Sequence, residues 1–218
     1  MPLLTDPAAA AGLVTREIRT GSRDGNSTRI AVARRTYPTG QKDLWEALTS
    51  AERLPRWFLP VSGELEVGGR YQLEGNAGGV VEECQEPQRF AVTWEFGGHM
   101  SWLTVTLSPE GSGTQLELVH EAPVDPQMWE QFGPGAVGVG WDLALLGLAM
   151  HVETGEAVDP EVAMSLHTTP EGLTFIRTAA EGWADAAVAD GDDPTAAHTA
   201  AEQTIVFYTT EPEAGAES

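Results

Sequence analysis

The stretch FAVTWEFGGHMSWLTVTLSPEGSGTQLELVH, residues 90–120, decides the fold. It holds three runs that alternate with a period of two. Phe90, Val92, Trp94 and Phe96 share one face, opposite Ala91, Thr93 and Glu95. Leu103, Val105 and Leu107 oppose Trp102, Thr104 and Thr106, and Leu116, Leu118 and His120 oppose Gln115, Glu117 and Val119. Successive side chains of a strand point to opposite faces, so each run is a strand with one apolar face. Gly97-Gly98 and Pro109-Glu110-Gly111-Ser112-Gly113 are hairpin-length breaks, which make the strands antiparallel neighbours. A sheet with one apolar face needs a covering layer.

That layer follows the last run. From Gly135 to Glu153, after a glycine-rich lead-in, Trp141, Leu145, Leu148 and Val152 recur at i, i+4, i+7 and i+11. Leu146 and Ala149 widen the stripe, so the long helix is expected to be buried on more than one side. Upstream, shorter strands are expected at Ser62–Glu66, Arg70–Glu74 and Val80–Cys84. Before them lie a strand at Thr28–Tyr37, a helix capped by Thr39 with Leu44, Trp45 and Leu48 on one face, and a second short helix at Ala51–Phe58 interrupted by Pro55.

Beyond Gly155 three segments open with a capping residue and then Pro: Asp159-Pro160, Thr169-Pro170 and Asp193-Pro194. They predict helices over Pro160–His167, Pro170–Ala189 and Pro194–Thr209. The chain thus divides into an N-terminal arm (1–27, partly flexible), a main domain (28–155), a helical extension packed on it (156–210) and a disordered tail (211–218).

Composition narrows the function classes. The net charge is −21 over 218 residues, and it is uneven: from Glu121 on there are 18 acidic residues and a single basic one, Arg177. Such a field repels phosphate backbones and anionic lipid surfaces, so nucleic acid and membrane are poor partners. The lone Cys84 excludes an internal disulfide and fits a reducing, cytoplasmic setting. The N-terminus has no basic run ahead of an apolar segment, and no uninterrupted apolar run approaches 18 residues.

The order strand, two short helices, meander, long helix, together with Leu44-Trp45-Glu46-Ala47-Leu48-Thr49, Arg56-Trp57-Phe58, Gly68-Gly69-Arg70-Tyr71, Pro87–Glu95, Gly113–His120 and Gly138–Leu145, resembles the activator-of-heat-shock-ATPase-like branch of the START and pollen-allergen (SRPBCC) superfamily, as a bacterial member. The likeness spans about Thr28 to Val152. It implies an α+β helix-grip fold: a curved antiparallel sheet of about seven strands wrapped around a long helix, here with a C-terminal helical extension. It also implies a cavity between sheet and helix, in which superfamily members hold lipids, sterols, hormones or polyketide-like molecules; some are cyclases, and eukaryotic activator-like members stimulate a chaperone ATPase.

The candidate ligand-binding residues are Trp57, Phe58, Tyr71, Trp94, Phe96, Leu103, Val105, Leu118, His120, Trp141 and Leu145. The aromatic ones suit a flat or acyl ligand, or else simply fill the core. His120 is a candidate base or anchor, against the plainer reading of a bonded core histidine at a strand end. His99, His151, His167 and His198 form no zinc-like pattern, so no metal is expected, nor any cofactor. Cys84 lies among Glu82, Glu83 and Glu86, which disfavour a thiolate. The glycine-rich Gly133–Gly140 has the wrong spacing for a dinucleotide loop and reads as the flexible lead-in to the long helix, a possible gate. The leading expectation is a binding protein for an apolar small molecule. The alternatives are a protein-interaction module, suggested by the acidic extension, and a cyclase or hydratase, which needs two of His120, Glu83, Tyr71 and Asp142 to converge in the cavity.

Overall fold

The computed structural model of the chain describes residues 6–210. The expected disordered tail lies outside the described residues. Eight antiparallel strands form one sheet in the order β1-β2-β8-β7-β6-β5-β4-β3. They are β1 (Thr15–Arg23), β2 (Asn26–Tyr37), β3 (Val61–Gly63), β4 (Arg70–Leu73), β5 (Gly78–Gln85), β6 (Arg89–Phe96), β7 (His99–Glu110) and β8 (Gly113–Pro123). The helices are α1 (Pro7–Gly12), α2 (Gln41–Thr49), α3 (Pro126–Phe132), α4 (Gly135–Thr154), α5 (Pro160–Ser165), α6 (Pro170–Asp190) and α7 (Pro194–Thr209).

The pairing register confirms the apolar faces. Ala31, His120, Leu103, Val92 and Val81 form one cross-strand row, and Ala33, Leu118, Val105, Phe90 and Cys84 form the next. These rows make the concave face. α4 lies on it, with Leu145 and Leu148 buried towards the sheet and Leu146 and Met150 buried on the opposite side. By length and apolarity α4 would also span a membrane, but most of its surface is covered by the sheet and the C-terminal helices.

The extension supplies that outer cover. Phe175, Ile176 and Trp183 of α6 are fully buried. All three expected caps form: Asp159, Thr169 and Asp193 accept from Glu161 N, Gly172 N and Ala196 N at 2.9, 3.3 and 2.9 Å. Asp125-Pro126 carries the same signal and caps α3, a helix the sequence reading passes over.

Three local expectations are corrected. The arm expected to be partly flexible, with a short strand or helix over Val14–Arg19, is ordered from Thr15 to Arg23 as β1, which extends the sheet and buries Ile18, while Val14 just before it and Ala10 and Ala11 of α1 are buried too. The small, charge-rich composition hid a strand that pairs along the edge of β2 not taken by β8. Gly40, not Thr39, occupies the N-cap of α2, and the Thr39 hydroxyl donates instead to Asp43 at 2.8 Å. The expected helix 51–58 shrinks to one 3-10 turn, Leu54–Arg56, because Pro55 removes a donor and restricts the residue before it.

Candidate functional site

Between α4 and the concave sheet lies a cavity of about 150 Å³. β6, β7 and β8 give it Phe90, Val92, Trp94, Leu103, Val105, Leu116 and Leu118, and α4 gives Trp141, Ala144 and Leu145. β4 and β5 add Tyr71, Leu73, Val81 and Cys84. The remaining wall is the end of α2, with Leu48 and Thr49, and the segment after it, where Leu54, Trp57, Phe58, Val61 and Leu65 close over the mouth. Leu65 and Cys84 are exposed and mark the rim.

Of the candidate ligand-binding residues, Trp57, Phe58, Tyr71, Trp94, Leu103, Val105, Leu118, Trp141 and Leu145 all meet in this wall. Phe96 does not. It is the last residue of β6 and is 57% exposed, because the sheet's cover ends before the β6–β7 turn. His120 is on the concave face but behind the wall, packed edge-on against Trp94 and Trp141 at 6.3 and 5.7 Å between ring centres. Trp141 Nε1–H donates to its Nδ1 at 3.0 Å, so the ring proton sits on Nε2, 2.8 Å from Ser101 Oγ. Ser101 in turn donates to the Trp94 carbonyl at 3.1 Å. Both ring nitrogens are committed, and burial pushes the His120 pKa down to about 4. It is a neutral, bonded core histidine.

The other acid–base candidates also fail to converge. Glu83 points away from the cavity and pairs with Arg89 at 3.0 Å, because a bulge between Val81 and Glu83 shifts the alternation and turns Cys84 inward. That bulge is why Cys84 was missed as a wall residue. Asp142 is fully buried on the far side of α4, where Arg16 donates to it at 2.6 and 3.1 Å and Trp183 Nε1 at 2.6 Å. Burial pushes its carboxyl up, against the pull of Arg16. Tyr71 is in the wall, but its hydroxyl donates to the Thr93 carbonyl at 2.8 Å, and burial raises its pKa. Thr49 donates to the Trp45 carbonyl at 2.8 Å. The hydroxyls of the wall are therefore satisfied internally. Among the described residues no group of three His, Cys, Asp or Glu side chains is placed to hold a metal ion.

Comparisons with known proteins agree with this architecture. CalU16 from Micromonospora echinospora is similar over 82% of this chain: its solution structure at 30% identity and a TM-score of 0.69, covering 97% of that chain, and its crystal structure at 29% and 0.62, covering 99%. DynU16, described as a protein in the dynemicin biosynthetic locus, shares the fold at 22% identity and a TM-score of 0.52, over 59% of this chain and 48% of its own. No curated protein matches. The family model "Activator of Hsp90 ATPase homolog 1-like protein" matches residues 38–153, from the end of β2 to the end of α4, and the chain belongs to that family.

Proposed function

We propose that the protein binds an uncharged, apolar small molecule, lipid-like or polyketide-like, through a hydrocarbon portion seated between sheet and α4. The observation that carries this reading is an apolar cavity whose hydroxyls are all bonded to the protein itself. A buried ligand acceptor would find no free hydroxyl donor in the wall, and would lose its bonds to water.

Size counts against a wholly enclosed ligand and confines the reading to part of one. At about 150 Å³ the cavity is below the range typical of whole drug-sized ligands, roughly 300 Å³ and more. A dry apolar cavity of this volume takes a single aromatic ring. A longer molecule would keep its remainder outside, past Leu65 and Cys84, or displace the segment around Trp57. The single free thiol suits a cytoplasmic setting. Acid–base catalysis is less well supported, since Tyr71 and Cys84 are the ionisable groups of the wall and the Tyr71 hydroxyl is already bonded.

Trp57, Trp94 and Trp141 make the test optical. Bromobenzene is a neutral ring that quenches indole fluorescence through its heavy atom. Saturable quenching in the native protein, abolished by Ala144→Phe, which fills the cavity, is the expected result. Absence of saturable quenching, or quenching unchanged by Ala144→Phe, overturns the reading. Native mass spectrometry before and after unfolding then identifies any molecule that copurifies.

A second reading, a protein-interaction surface, is favoured by Val206 and Phe207, which are 55% and 59% exposed at the end of α7, with Phe207 5.5 Å from Phe132.

A further inference from the structure

The segment Ser50–Leu59 closes the mouth of the cavity through Leu54, Trp57 and Phe58, and two arginines fasten it to the C-terminal end of α4. Arg56 Nη2 donates to the Gly155 carbonyl at 2.5 Å, and Val158 N returns a bond to the Arg56 carbonyl at 2.7 Å. Arg53 makes the other attachment. Its Nε and Nη2 lie 3.3 and 3.2 Å from Nε2 of His151, a residue only 1% exposed.

The protonation state of His151 follows from these partners. Nδ1 is 2.7 Å from the Glu156 carbonyl, an acceptor, so Nδ1 carries a proton. Arg53 offers only donors, so Nε2 must offer its lone pair. The ring is a neutral imidazole that accepts from a guanidinium. Adding a proton at Nε2 turns that bond into N–H against N–H and places two positive charges at hydrogen-bond distance inside the protein.

We infer that His151 is a proton-sensitive clasp on the mouth of the cavity: neutral, it holds Arg53 and the Ser50–Leu59 segment down; protonated, it releases them and admits or discharges ligand. This rests on the binding role proposed above. The charged groups facing the ring are Arg53 and, behind it, Asp43 of α2, which Arg53 Nη1 contacts at 2.7 Å; Arg56 reaches the same helix end through Gly155. Asp43 is not the switch. Burial opposes its ionisation, yet its bonds from Thr39 and Arg53 hold its carboxyl below the usual carboxylate range, so it stays charged through mild acid. Freed from His151, Arg53 keeps Asp43 as its partner, which gives the open state a stable arrangement.

The experiment has two readouts. Amide hydrogen exchange over residues 53–58, corrected for intrinsic rates, reads the clasp without ligand; stopped-flow quenching by bromobenzene reads the mouth. As the pH is lowered from about 8 to about 5, protection of 53–58 should fall and the association rate should rise. Each change should be roughly tenfold, the loss expected from one charge-assisted hydrogen bond. His151→Gln, whose amide can accept from Arg53 and donate to Glu156 without titrating, should stay closed across the range. Arg53→Met should be open at every pH. A wild-type protection pattern that does not change with pH, or a His151→Gln variant that keeps the full response, overturns the clasp. If bromobenzene does not bind at either pH, the binding role fails while hydrogen exchange still decides the clasp.

Discussion

The indole N–H of Trp183 donates to Oδ2 of Asp142 at 2.6 Å, tying α6 to the far side of α4, and Arg16 of β1 completes the junction by donating to both oxygens of the same carboxylate. Asp142 is fully buried and the Arg16 side chain nearly so. Removing one member of such a pair leaves an uncompensated buried charge, which destabilises by about 3–5 kcal/mol. Asp142→Ala is therefore expected to lower the unfolding free energy measured in urea by that much, and Asp142→Asn, which still accepts from Trp183, by less. A loss within about 1 kcal/mol for Asp142→Ala would show that apolar packing alone holds the extension.

How much of this was legible depends on the range of the interaction. The concave wall was legible because period-two alternation in β6, β7 and β8 is local and needs no knowledge of partners beyond the next strand. The caps of α5, α6 and α7 were legible for the same reason. The pairing of Arg16 with Asp142 was not, since 126 positions separate them. Cys84 was lost to a bulge, which alternation does not reveal. β1 was only half legible, as a strand or helix over Val14–Arg19, because Thr-Arg-Glu-Ile-Arg-Thr-Gly carries little apolar signal and its strand state comes from pairing with β2. His151 was read only as part of no zinc-like pattern, while the groups that define it are Arg53 and the Glu156 carbonyl.

His120 predicts a specific pH dependence. Its folded pKa is held at about 4 by burial, below the ordinary value near 6.5. In that window the unfolded chain binds the proton and the native protein does not, so stability falls as pH drops through the window and levels off below it. The group contributes about 3 kcal/mol of such loss in total. Urea unfolding of the wild type and of His120→Gln at a series of pH values isolates it. The variant should be less stable at neutral pH but lose less on acidification; parallel curves would refute the assignment.

Two glycines of α4 predict opposite outcomes for one added methyl. A Cβ at Gly138 would lie 2.4–2.5 Å from ring atoms of Trp183, which is fully buried with nowhere to go. Gly138→Ala should destabilise by about 1–3 kcal/mol or more through overpacking. A Cβ at Gly147 meets the Trp57 carbonyl at 2.9 Å and nothing else of the closing segment so near. Gly147→Ala should shift that segment outward, raising the bromobenzene association rate with little change in the urea midpoint. Equal stability losses for the two variants would mean that the Trp57 segment is as firmly packed as Trp183.

The boundary between domain and extension gives the sharpest test of the architecture. Sequence composition divides the chain near residue 155, and the family match ends at residue 153. The packing contradicts any independence of the two parts. Leu146 and Met150 of α4, together with Ala10 and Ala11 of α1, are buried in one cluster with Leu166 and Phe175 of the extension. Val139 shares the main core with Ile176 and Trp183. A chain ending at residue 158 would expose that whole side of α4 and leave the Arg16–Asp142 pair open to water. It is expected to show no cooperative thermal transition and no near-ultraviolet circular dichroism, whereas the full chain shows both. A folded 1–158 fragment would make the extension an accessory, and would shift the protein-interaction reading from α7 to the face of α4 that it uncovers.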